Sequence, residues 1–245
     1  MTFPTITSFM KKTISLMNFS SSFYINFDAQ SIEHDFLLLN KIAEDHGRFL
    51  SEDSVDDYFY RSFLQYQCQM ARASTMKKII LDVTAVVLFP FYIAVALIYK
   101  LMVSSNITDE NKKPIAVSAV NIRNDLIQKS LTEKYTIISS KKNRIILDRN
   151  GLLFLRSLFH MFPTHPYFIL KCMVKISMYS YHCKIYNPEA IMAASEYSFT
   201  SSILTCYLEQ QKIKHINIMH GEKIYNIRDS FFRFSEFFCL GSVLC

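Results

Sequence analysis

The sequence predicts an α/β protein, a mainly parallel sheet preceded by a helical N-terminal region that carries one apolar, membrane-associating helix. Three observations predict it. From about residue 114 onward, apolar runs of strand length alternate with helical stretches, the pattern of βαβ units. Val83 to Tyr99 is a run of seventeen residues without a charge. Before it, Phe59, Phe63, Tyr66 and Met70 recur at spacings of four, three and four, one stripe of a helix.

The elements follow in order. Residues 1–76 form a helical acidic region, with 6 Lys/Arg against 9 Asp/Glu. Ser54 and Asp57 make an [ST]-x-x-[DE] start signal ahead of the aromatic stripe, which is read as packing. Residues 77–113 hold the apolar run and a linker. Seventeen residues lie at the lower limit for a membrane span. Pro90 stands at the midpoint, where proline kinks or breaks a helix. A full span, a hairpin dipping into one leaflet and a buried soluble helix compete, and a membrane-dipping or interfacial helix is favoured.

Residues 114–245 form the α/β domain. Strands are expected at 114–120, 135–138, 144–147, 190–194, 215–219 and 237–240, and helices near 152–161, 167–182 and from Ser201. No repeat or low-complexity segment interrupts it.

Composition excludes several functions. Half the chain is apolar, with 21 Phe and 14 Tyr, so it is not a disordered chain. Only four glycines occur, at 47, 151, 221 and 241, so neither GxGxxG nor a P-loop can be built. Residues 114–245 hold 16 Lys/Arg against 9 Asp/Glu, yet no basic run exceeds two residues. Nucleic acid is therefore not expected as a partner. Six cysteines form no CxxC and no zinc-type spacing, which points to a reducing compartment and to no metal and no cofactor.

The chemistry concentrates at two strand ends. After 190–194 come Ser195, Glu196, Tyr197 and Ser198; after 215–219 come His220, Gly221, Glu222 and Lys223, then Arg228 and Asp229. Ligands of open α/β sheets bind beyond such ends. The helix starting at Ser201 and Ser202 is expected to aim its N-terminal amides at the same crevice, where an anion binds. His220 suits general base work near neutral pH, and Arg228 with the helix start suits the charge of a phosphate. Glu196 and Glu222 are either paired carboxylates or partners of Arg228 and Lys223.

The block from Glu196-Tyr-Ser-Phe-Thr-Ser-Ser202 through His215-Ile-Asn-Ile-Met-His-Gly-Glu222 to Ile227-Arg-Asp-Ser-Phe-Phe-Arg-Phe234 resembles bacterial surface-polysaccharide (capsule or O-antigen) glycosyltransferases of the GT-B type. More loosely, the His-Gly after a strand is similar to polysialyltransferases and teichoic-acid glycerophosphotransferases. The resemblance covers about residues 114–240. It implies a Rossmann-like domain, the first half of a GT-B architecture, acting on the acceptor side of polysaccharide assembly. It also implies catalytic roles for His220 and Glu222, with Glu196, Ser201, Ser202, Arg228 and Asp229 binding substrate. The implied partners are a nucleotide-activated sugar or polyol donor, a glycan acceptor and the cytoplasmic face of the inner membrane. GT-B enzymes carry a second, C-terminal Rossmann domain, so the chain is expected to be truncated or completed by another polypeptide. The alternative is a non-catalytic membrane-associated subunit or remnant.

Overall fold

A computed structural model describes residues 57–71, 73–102, 113–119, 122, 127–140, 144–194, 197–218 and 231–238. Among these residues two helices come first, α1 (Tyr58–Ala71) and α2 (Thr75–Met102). The α/β part follows as β1 (Ile115–Ser118), α3 (Lys129–Lys134), β2 (Thr136–Ser139), α4 (Arg149–Met161), α5 (Pro166–Tyr186), β3 (Ala190–Ala193), α6 (Ser201–Glu209), β4 (Lys214–Ile218) and β5 (Glu236–Phe238). The five strands form one sheet in the order β2-β1-β3-β4-β5, and every pairing is parallel. The fold is α/β and broadly Rossmann-like. The all-parallel sheet needs cover on both faces, which is why β3 and most of β4 read as continuous buried runs.

The two faces are covered unequally. One is lined by Ala116, Ala190, Met192, Ile216 and Ile218 and packs on Leu131 of α3 and on Tyr135. The other supports the larger core, in which α5 and α6 lie on the sheet and α1, α2 and α4 lie against those helices. Central to it is α5, clasped between the sheet and α2, with thirteen of its 21 residues buried. A helix enclosed on two sides has no polar face to show, so its sequence carries apolar residues all round.

The start of α1 is set by Asp57, whose Oδ1 accepts the N–H of Phe59 at 2.7 Å and that of Tyr60 at 3.3 Å. The aromatic stripe is packing, as expected: Phe63 stacks on Phe162 with centroids 4.4 Å apart, and Tyr66 meets Phe168 at 5.2 Å. Ser54 lies outside the described residues.

Two expectations are corrected. The apolar segment neither breaks at Pro90 nor turns back as a hairpin; α2 runs unbroken through the proline. Nor is it a buried soluble helix, since only 17% of its most apolar window is covered. Position 90 faces outward, where the ring and its missing N–H are tolerated. By length and composition α2 is able to cross a membrane. Second, residues 144–147 form no strand. Ile145, Ile146 and Leu147 are buried while Arg144 is exposed, and Ile146 N–H donates to the Ser177 carbonyl of α5 at 3.2 Å in place of a sheet neighbour. An apolar run specifies burial and extension, not the partner.

Candidate functional site

The strand order reverses between β1 and β3, so the crevice typical of open parallel sheets lies beyond Ser118 and Ala193. Strand pairing reaches the lip of that edge. Ala119 N–H donates to the Met192 carbonyl at 3.0 Å, and Ser140 N–H to the Ser118 carbonyl at 3.2 Å. On the next strand, Asn217 of β4 is the register partner of Ala193. The chain therefore enters the Glu196 and His220 segments from two neighbouring strand ends. Glu196, His220, Glu222, Arg228 and Asp229 themselves lie outside the described residues.

Ser201 and Ser202 are described, and they correct the expectation of an open anion site. Both are fully buried. Ser201 Oγ donates to the Ser198 carbonyl at 2.7 Å, and Ser202 Oγ donates to the Phe231 carbonyl at 2.9 Å. The first turn of α6 is met by α1, whose Ser62 Oγ accepts the N–H of Ile203 at 3.0 Å. A helix start that would otherwise attract an anion is occupied by a neighbouring hydroxyl.

Behind this lip stands a polar group that the sequence reading passed over as part of a strand. His215 is fully buried, with Nδ1 2.7 Å from Thr205 Oγ1 and Nε2 3.3 Å from the Tyr179 hydroxyl. Thr205 Oγ1 also donates to the Arg233 carbonyl at 2.6 Å, which leaves its lone pairs for the ring. The network therefore assigns the proton to Nδ1, with Nε2 accepting from Tyr179. Burial pushes the ring down to about 3, so His215 stays neutral and ties α5, α6 and β4 together. The signal in the sequence was the alternation Lys-His-Ile-Asn-Ile, which puts His215 and Asn217 on one face of a strand. Asn217 is also fully buried, and among the described residues neither of its amide atoms has a hydrogen-bond partner.

Two lysines one helical turn apart on α5 are perturbed as well. Burial lowers Lys171 to about 8, with the neighbouring Lys175 charge adding to the shift; burial likewise lowers Lys175. Three of the cysteines are not poised for chemistry. Burial raises Cys172 well above its usual range, Cys183 to about 12 and Cys206 to about 11, so all three stay protonated. Among the described residues no cluster of His, Cys, Asp or Glu can hold a metal ion. A cleft of about 390 Å³ opens beside Asp148, Lys184, Glu189 and Lys212. Glu189 and Ile213, which also lines it, immediately precede β3 and β4, so this cleft sits at the amino ends of the strands, away from the expected crevice.

Comparison of the chain with protein-family models, with curated proteins and with solved structures finds no match.

Proposed function

We propose that the chain is the acceptor-side domain of a glycosyltransferase-like protein of surface polysaccharide biosynthesis, held at the cytoplasmic face of the inner membrane by α2. The observation that carries this reading is the pairing of Ala193 with Asn217, since both chemistry-bearing segments leave the same edge of a parallel sheet. In the proposed reaction, an acceptor hydroxyl attacks the activated carbon of a nucleotide-linked donor. The new bond to oxygen forms as the bond from that carbon to the donor's phosphate oxygen breaks. His220 takes the hydroxyl proton and Arg228 offsets the charge of the leaving phosphate. Glu222 supports the base, and Glu196 and Asp229 bind hydroxyls of the acceptor. Ser201 and Ser202, whose hydroxyls are buried on backbone carbonyls, take no part as drawn.

A second reading, a non-catalytic membrane-associated subunit, is favoured by the seat of Ser62 on the start of α6, which closes that anion site. One experiment separates the two. The gene is deleted in its host, surface polysaccharide is extracted, and complementation is attempted with the wild type and with His220→Ala at matched protein levels. The transferase reading expects lost polymer to return with the wild type only. Full restoration by His220→Ala would assign the chain to the non-catalytic reading, and unchanged polymer in the deletion would end the transferase reading.

A further inference from the structure

We propose that α2 and α4 form one lipid-binding face that lies flat on an anionic bilayer, without crossing it. The inference deepens the membrane-association part of the function proposed above and rests on it.

The flat orientation follows from what α2 already holds. Its inner side, at Ala85, Tyr92 and Ala96, is buried. Three hydrogen bonds fix it to α5 along its length. Asp82 Oδ1 accepts from Tyr167 N–H at 3.1 Å, the Tyr92 hydroxyl donates to the Met173 carbonyl at 3.0 Å, and Lys184 Nζ donates to the Lys100 carbonyl at 3.4 Å. The two helices thus run side by side in the same direction. For α2 to span a bilayer in this arrangement, α5 would have to enter it too, and with it the open sheet on which α5 is packed. Open sheet edges and their polar turns do not enter hydrocarbon. A helix so tethered can present its outer side to a membrane only by lying along the surface.

That outer side is apolar and open. Met76, Ile80, Val83, Val87, Phe91, Ile98 and Leu101 are each 56–88% exposed. Soluble proteins rarely expose so long an apolar surface without a partner. It continues onto α4, where Phe159 meets Phe89 of α2 edge to face at 5.2 Å. Leu152, Leu153 and Phe159 of α4 are exposed as well.

Charge identifies the partner. Lys77 and Lys78 stand at one end of α2 and Lys100 at the other, while Arg149 and Arg156 stand on the exposed side of α4. The only acidic residue in either helix is Asp82, and it is spent on the start of α5. Among the described residues, an apolar strip bordered by five cations, with the engaged Asp82 as the one carboxylate of its two helices, matches a bilayer with anionic headgroups. It does not match a second copy of the same face, which would oppose like charges.

Flotation of the purified full chain with vesicles tests this, using phosphatidylcholine alone and phosphatidylcholine mixed with phosphatidylglycerol. The chain should float with the mixed vesicles, weakly with the neutral ones, and less as salt is raised. Arg149→Glu with Arg156→Glu, both exposed and checked for folding by circular dichroism, should weaken binding to mixed vesicles roughly thirty-fold or more. Equal flotation with both compositions would overturn the anionic preference while leaving membrane association standing; no flotation with either would overturn both. In native membranes, alkaline carbonate should release the chain, and retention in the bilayer pellet would overturn the flat orientation. A stable dimer in detergent-free solution with no lipid binding would assign the face to a second copy and sink the proposal.

Discussion

Asp82 of α2 caps α5 in trans: its Oδ1 accepts the N–H of Tyr167, the second residue of a helix whose own flanking residue, His165, makes no side-chain cap. Helix starts leave backbone donors unsatisfied, and a carboxylate there also meets the positive end of the helix dipole. Asp82→Ala should therefore lower stability by about 1 kcal/mol, whereas Asp82→Asn, which still offers an oxygen, should lose only a few tenths. Urea midpoints followed by circular dichroism read the difference; equal midpoints for Asp82→Ala and wild type would remove the cap from the account.

Gly151 gives a sign opposite to helix propensity. Replacing a helical glycine by alanine ordinarily stabilises by up to about 1 kcal/mol. Here an added Cβ would sit 2.9 Å from Asp148 Oδ1 and 3.2 Å from Leu147 Cδ1. Asp148 has little freedom to move, because Oδ1 accepts the Gly151 N–H at 2.7 Å and Oδ2 accepts the Tyr207 hydroxyl at 2.9 Å. Gly151→Ala should cost about 1 kcal/mol, and combining it with Tyr207→Phe should cost less than the two changes added. A stabilised Gly151→Ala protein would show that the cap relaxes freely.

His215 makes stability depend on pH in a definite direction. Its folded value of about 3 lies below the usual 6.5, so between those values the unfolded chain binds the extra proton. Stability is fully present above about pH 6.5 and is lost as pH falls toward 3. The same holds for the buried His182, lowered to about 4. Each contributes a slope of about 1.4 kcal/mol per pH unit inside its window. His215→Gln should be less stable at pH 7.5 yet show a flatter decline between pH 6 and 4.5, by close to one proton. Parallel declines would mean that His215 is protonated in the folded protein.

Lys175 is a group that the fold tolerates at a cost. Its lowered value means that burial disfavours the charged amine, a cost that falls as pH rises toward the usual lysine value. Lys175→Met should raise the urea midpoint at pH 7, and that advantage should shrink toward pH 10 as the unfolded chain loses its preference for the proton. An advantage that does not change with pH would point to packing instead of charge.

Strand positions were legible because a buried parallel strand leaves a local mark, an uninterrupted apolar run between polar turns. Ala190–Ala193 and Lys214–Ile218 fall within a residue or two of their expected places. The same mark misled at Ile145-Ile146-Leu147, whose neighbour is a helix, since pairing is decided by residues far away in sequence. The six-residue α3 left too little periodicity to read. Of the site, the two strand ends were legible and the closure of the α6 start was not. Ser201 and Ser202 look like an open helix cap until Ser62, 141 residues before Ile203, is brought against it.

The clasp of α5 between sheet and α2 has a practical corollary for protein engineering. An apolar surface helix is commonly treated as a removable anchor, and excision is the usual route to a soluble variant. Excising α2 here would remove Ala85, Tyr92 and Ala96 from the core, break the Tyr92 bond to the Met173 carbonyl and take the cap from Tyr167. The soluble protein is reached by repainting instead, with polar residues at Val83, Val87, Phe91 and Ile98 and the inward row of Ala85, Tyr92 and Ala96 left untouched.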